Sequence, residues 1–76
     1  MDNEVLNEIV DALNNARYKH PHFADNLYHA VSLATEELGE LAKAVNDGDP
    51  EGIKAEALDT IAVLVRIIYR LEEKND

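Results

Sequence analysis

From Ala57 to Tyr69 the only strongly polar residues are Asp59, Thr60 and Arg66. Wound into a helix, the remaining residues, Ile61, Ala62, Val63, Leu64, Val65, Ile67 and Ile68 among them, are distributed all the way round. A helix that is apolar on every side has to be covered on every side. The chain has 76 residues, which is one domain, residues 1–76, and a small one. Two short partner helices do not wrap a third, so the remaining face calls for a second copy of the chain. The expected architecture is all-α: a three-helix antiparallel hairpin-type protomer that assembles into a helical bundle by homo-oligomerisation.

The other two helices follow from periodicity. The first is expected over about 3–18, with Asp2 or Asn3 as cap and an apolar stripe of Val5, Leu6, Ile9, Val10, Leu13 and Ala16. Lys19-His20-Pro21-His22 ends it, because a residue before proline is pushed out of helical geometry. The second is expected from about 26 to 46, capped by Asp25, with Leu27, Val31, Ala34, Leu38, Leu41, Ala42 and Val45 as its buried face. Gly48 is placed to close it in a left-handed turn. Asp49-Pro50 opens the third helix, Asp as cap and Pro in the first helical position, and that helix continues to about residue 73.

Two acidic pairs stand at helical spacing on either side of the Asn46–Pro50 break. Glu37 and Glu40 project from one side of the second helix, Glu56 and Asp59 from one side of the third. A short break makes these helices antiparallel neighbours, so four carboxylates can face one another across their seam. Like charges do not share a dry seam without a compensating cation. All-oxygen ligands ask for a hard divalent ion, Mg²⁺ or else Mn²⁺, and so for phosphate chemistry. The bland alternative pairs Asp59 with Arg66, two turns along the same helix, and leaves the other three acids unexplained. Gly39, inside the second helix, costs roughly 1 kcal/mol relative to alanine and points to close approach of another backbone.

Several function classes drop out. Sixteen acidic residues against seven basic ones, a formal charge of −9, oppose binding to a nucleic-acid backbone. With no cysteine there is no disulfide framework and no thiolate metal site. No run is apolar for long enough to span a membrane, and the acidic start lacks a signal-peptide pattern, so a cytoplasmic protein is expected. His20, His22 and His29 do not follow a glutamate by three residues, which excludes the Glu-x-x-His pattern of di-iron bundles.

Glu36-Glu37-Leu38-Gly39-Glu40, fifteen intervening residues, then Glu56-Ala57-Leu58-Asp59 resembles the paired motifs of the MazG-like, all-α nucleoside triphosphate pyrophosphohydrolases. The resemblance covers helices two and three. It implies that Glu37, Glu40, Glu56 and Asp59 hold Mg²⁺, with Glu36 either supporting those ligands or acting as catalytic base. It also implies cleavage of a nucleoside triphosphate to monophosphate and pyrophosphate by a homo-dimer or homo-tetramer, in the manner of nucleotide-pool housecleaning. Relatives carry a further basic stretch after the second motif, whereas here the sequence reads Glu72-Glu73-Lys74-Asn75-Asp76. Phosphate-binding cations then come from Lys43, which shares a face with Glu36 and Glu40, or from Arg66, Lys54, Arg70 or the Arg17-Tyr18-Lys19 segment of a neighbour. The alternative is a non-catalytic helical module that binds nucleotide or protein and retains the acidic metal site.

Overall fold

The computed structural model describes residues 1–73; Lys74–Asp76, the end of the acidic tail noted above, lie outside the described residues. The chain forms three helices, α1 (Asn3–Lys19), α2 (Leu27–Asp47) and α3 (Pro50–Glu73). Among the described residues there is no strand, and no helix is long and apolar enough to cross a membrane.

Local chemistry accounts for the helix ends. Asp2 caps α1, its Oδ1 accepting from the Val5 N–H at 2.9 Å. Asn26, not Asp25, caps α2: its Oδ1 accepts from the His29 N–H at 2.9 Å. The Asp25 carboxylate is instead turned to His22, 2.9 Å away, and its carbonyl accepts from Arg70. The α2–α3 turn is a Schellman closure. The Gly48 N–H donates to the Val45 carbonyl and the Asp49 N–H to the Ala44 carbonyl, with Gly48 at φ 66°, the one described residue with positive φ. Asp49 folds its carboxylate over the first turn of α3, against Gly52.

α3 is the middle element. It packs against α2 on one side and α1 on another, while α1 and α2 make no mutual contact among the described residues. Glu8 of α1 pairs with Lys54 near the start of α3, and Ala16 and His20 lie beside Arg66 further along it. α1 therefore runs parallel to α3, and α2 returns between them in sequence but not in space. The result is an open arrangement with a trough between α1 and α2, floored by α3. Its radius of gyration is 13.0 Å, against about 11 Å for a compact chain of this length.

The core is correspondingly thin. Leu13, Ala24, Ala30 and Ala62 are the buried apolar residues among those described. The stripes read from periodicity as buried are covered only in part. On α1, Val5, Leu6 and Val10 are exposed; on α2, Leu27, Val31, Leu38, Ala42 and Val45 are; on α3, Leu64 and Ile68 are. Alanines make up most of the buried set, and many of the large apolar side chains stand outward. Gly39 is not in close contact within the chain either, since a Cβ placed there meets nothing within 4 Å.

Candidate metal centre and adjoining cleft

Glu37 lies on the side of α2 that faces α3, level with Glu56 and Asp59. Each of the three carboxylates offers an oxygen within 4.8 Å of the others. Glu37 and Glu56 are half-buried and Asp59 is exposed. Burial pushes the Glu37 carboxyl above the usual glutamate range, and the charges of Asp59, Glu56, Glu40 and Glu36 push it further in the same direction. Among the described residues no lysine, arginine or histidine forms an ion pair with any of them. The cluster is thus a concentration of negative charge with no counter-ion among the described residues. A hard divalent cation with oxygen ligands is the species that fits such a donor set.

The fourth acid of the expected set stands apart. Glu40 is exposed on α2, one turn beyond Glu37, close enough to raise the Glu37 pKa but outside the three-carboxylate group. The expected seam of four carboxylates is therefore a seam of three.

The Asp59–Arg66 pairing is also not formed. Arg66 turns to the C-terminal end of α1, donating to the Ala16 carbonyl at 3.3 Å and to the His20 carbonyl at 2.8 Å, with its guanidinium 4.9 Å from the centre of the Phe23 ring. The last carbonyls of a helix attract a cation, and α1 offers them where α3 passes.

The trough beside the cluster is a cleft of about 590 Å³. Glu36, Glu37 and Leu33 of α2 form one wall, Lys19, Ala16 and Asn15 of α1 the other, and Asp59, Ala62 and Arg66 of α3 the floor; His20, His22, Phe23 and His29 also line it. Three of the expected site residues outside the metal set therefore share this cleft: Glu36, Lys19 and Arg66. The other two do not line it. Lys43 is exposed two turns along α2 from Glu36, and Arg17 lies over the Tyr69 ring at 4.8 Å in a neighbouring groove.

His20, His22, His29 and Phe23 are cleft residues that no sequence motif placed beside the acids. Their placement depends on Pro21, which breaks α1, and on Arg66 and Arg70, which hold the 20–26 segment by its carbonyls. The His22-Asp25 pair and the Asp25 N–H, which donates to His29 Nδ1 at 3.2 Å, tie the segment together. Asp25 is held below the usual aspartate range by its hydrogen bond to His22, then by the charges of His22 and His29.

No family model, curated protein or solved structure matches the chain.

Proposed function

We propose that this protein is a divalent-metal-dependent pyrophosphohydrolase of nucleoside triphosphates, acting in the cytoplasm as a homo-oligomer. The observation that carries the reading is the convergence of Glu37, Glu56 and Asp59, with no counter-ion among the described residues, beside a cleft large enough for a small molecule. Mg²⁺ or Mn²⁺ held there would neutralise phosphate charge and lower the pKa of a bound water. Glu36 faces the same cleft and takes the proton of the water that adds across the α–β phosphoanhydride. The bond from the attacked phosphorus to the α–β bridging oxygen breaks and that oxygen leaves with the other fragment, giving a monophosphate and pyrophosphate. Lys19 and Arg66 face the phosphates, with Lys43 and Arg17 at a greater distance. Phe23 and the histidines offer flat surfaces for a base.

Association of copies is supported by area. The chain exposes 5654 Å², whereas a folded monomer of 8.5 kDa exposes about 4,700 Å². The excess, roughly 1,000 Å², is the size of one side of a stable interface, about 800 Å² per partner. Along α2, Val31, Leu38 and Val45 recur every seven residues at 54–58% exposure, the spacing of a helix-on-helix seam.

A pyrophosphate-release assay over canonical and modified nucleoside triphosphates with Mg²⁺ or Mn²⁺ tests the reading. Release by the wild type that is abolished in Glu56→Gln is expected; no release from any nucleotide by a folded, metal-binding protein would overturn it. The separation of Glu40 from the cluster favours a second reading, a module that binds metal and nucleotide without turnover. That module would be stabilised by the cation and release nothing.

A further inference from the structure

On the far side of Arg66 from the acidic cleft, three arginines converge on a second groove, between the C-terminal end of α1 and the last turns of α3. It has a volume of about 650 Å³ and is lined by Arg17, Arg66 and Arg70 together with Phe23, Tyr69 and Glu73. We propose that this groove binds a soluble oxyanion of the phosphate class through Arg17, Arg66 and Arg70, independently of the metal centre.

In this chain acids outnumber bases sixteen to seven, so an arginine has many carboxylates to choose from. Among the described residues none of these three forms an ion pair. Glu73, on the wall of the groove, is exposed and pairs with none of them, and His22, on another wall, is turned to Asp25.

Two of the guanidiniums are fixed in place. Arg66 donates to the carbonyls of Ala16 and His20, and Arg70 to those of Ala24 and Asp25. Each thereby uses two of its five donors, and the charge and the other donors remain. Capping of α1 explains Arg66 and tethering of the 20–26 segment explains Arg70. Neither explains Arg17, which rests on the Tyr69 ring and whose charge, after burial, depresses the Arg66 pKa. Like charges placed together on fixed side chains beside an open concavity form a preorganised receptor for a multivalent anion. The recessed position, and the −9 charge of the whole chain, favour a soluble anion over an anionic membrane surface.

Amide shifts of the full chain, titrated in EDTA with inorganic phosphate and with pyrophosphate at constant ionic strength, test this without the metal centre taking part. Saturable shifts are expected around Arg17, Phe23, Tyr69 and Arg70, with tighter binding of pyrophosphate. Arg17→Gln, which removes no main-chain bond and so keeps the fold, is expected to weaken binding roughly tenfold. Lys54→Gln, which removes the same charge elsewhere, is expected to change it less than twofold. Shifts that do not saturate, or that Arg17→Gln leaves unchanged, would overturn the proposal. Because EDTA is present, that failure would leave the metal reading standing, and loss of metal binding in Glu56→Gln would leave this one standing.

Discussion

Replacing Glu37 by glutamine is expected to stabilise the metal-free protein and to destabilise it relative to wild type once a divalent cation is added. Glu37 faces Glu56 and Asp59, with carboxylate oxygens within 4.8 Å. Because the three side chains are half-buried or exposed, the water-like limit of Coulomb's law applies. Each pair then repels by about 0.9 kcal/mol, so removing Glu37 relieves between about 1 and 2 kcal/mol. The pH dependence has a defined sign. The Glu37 pKa is raised above 4.5 in the folded state, so the folded chain holds this proton more tightly than the unfolded chain. Stability is full below that value and falls as pH rises through the window up to the folded pKa.

Urea unfolding at fixed protein concentration, in EDTA at pH 4 and pH 7, reads both effects. Glu37→Gln should gain about 1–2 kcal/mol at pH 7, or about 4–8 °C in Tm for each kcal/mol, and gain little at pH 4. With Mg²⁺ or Mn²⁺ at a hundred times its Kd, the wild type gains about 2.7 kcal/mol and the variant much less, so the order reverses. A variant that is no more stable than wild type at pH 7 in EDTA would refute the reasoning that the three charges are uncompensated.

Leu38→Glu, on the exposed apolar stripe of α2, is expected to lower the mass seen by sedimentation equilibrium to that of a single chain while leaving the helical circular dichroism in place; an unchanged mass would remove that stripe from the interface. Gly39→Ala should raise stability by about 1 kcal/mol in thermal unfolding, because the position is mid-helix and open; a loss would mean that another copy's backbone abuts it. Gly48→Ala should cost about 1–2 kcal/mol in the same measurement, since its φ of 66° is left-handed, and a neutral result would show that the turn can re-form another way.

What was legible in the sequence was what local chemistry decides. Gly48, Asp49 and Pro50 mark the α2–α3 turn because a left-handed closure and a helix start each demand particular residues. The misplaced cap of α2 shows the limit. Asp25 and Asn26 are both good caps, and the choice was made by one near and one distant residue: His22 takes the Asp25 carboxylate and Arg70 its carbonyl. The cleft was hidden for the same reason, since its closing segment is held by Arg66 and Arg70, 45 or more residues away. Periodicity identified the apolar faces but not what covers them, and Leu38 and Val45 look the same in sequence whether α3 or a second copy lies against them.

The geometry of α2 separates these functions. Successive helical residues turn by about 100°, and Ala30, Glu37 and Ala44 lie on the side toward α3. Val31, Leu38 and Val45 are about 100° round from it in one direction, and Glu36, on the cleft wall, is about 100° round in the other. Glu40 is displaced from Glu37 by only about 60°, toward the cleft side, and rises about 4.5 Å along the axis. That is within the reach of a glutamate side chain. Glu56 and Asp59 have the same i, i+3 spacing on α3, and both reach Glu37. The three carboxylates that converge all belong to one copy. The cation stabilisation measured for the wild type is accordingly expected to persist in Leu38→Glu, even where that substitution has separated the copies; its loss there would place part of the metal site across the interface.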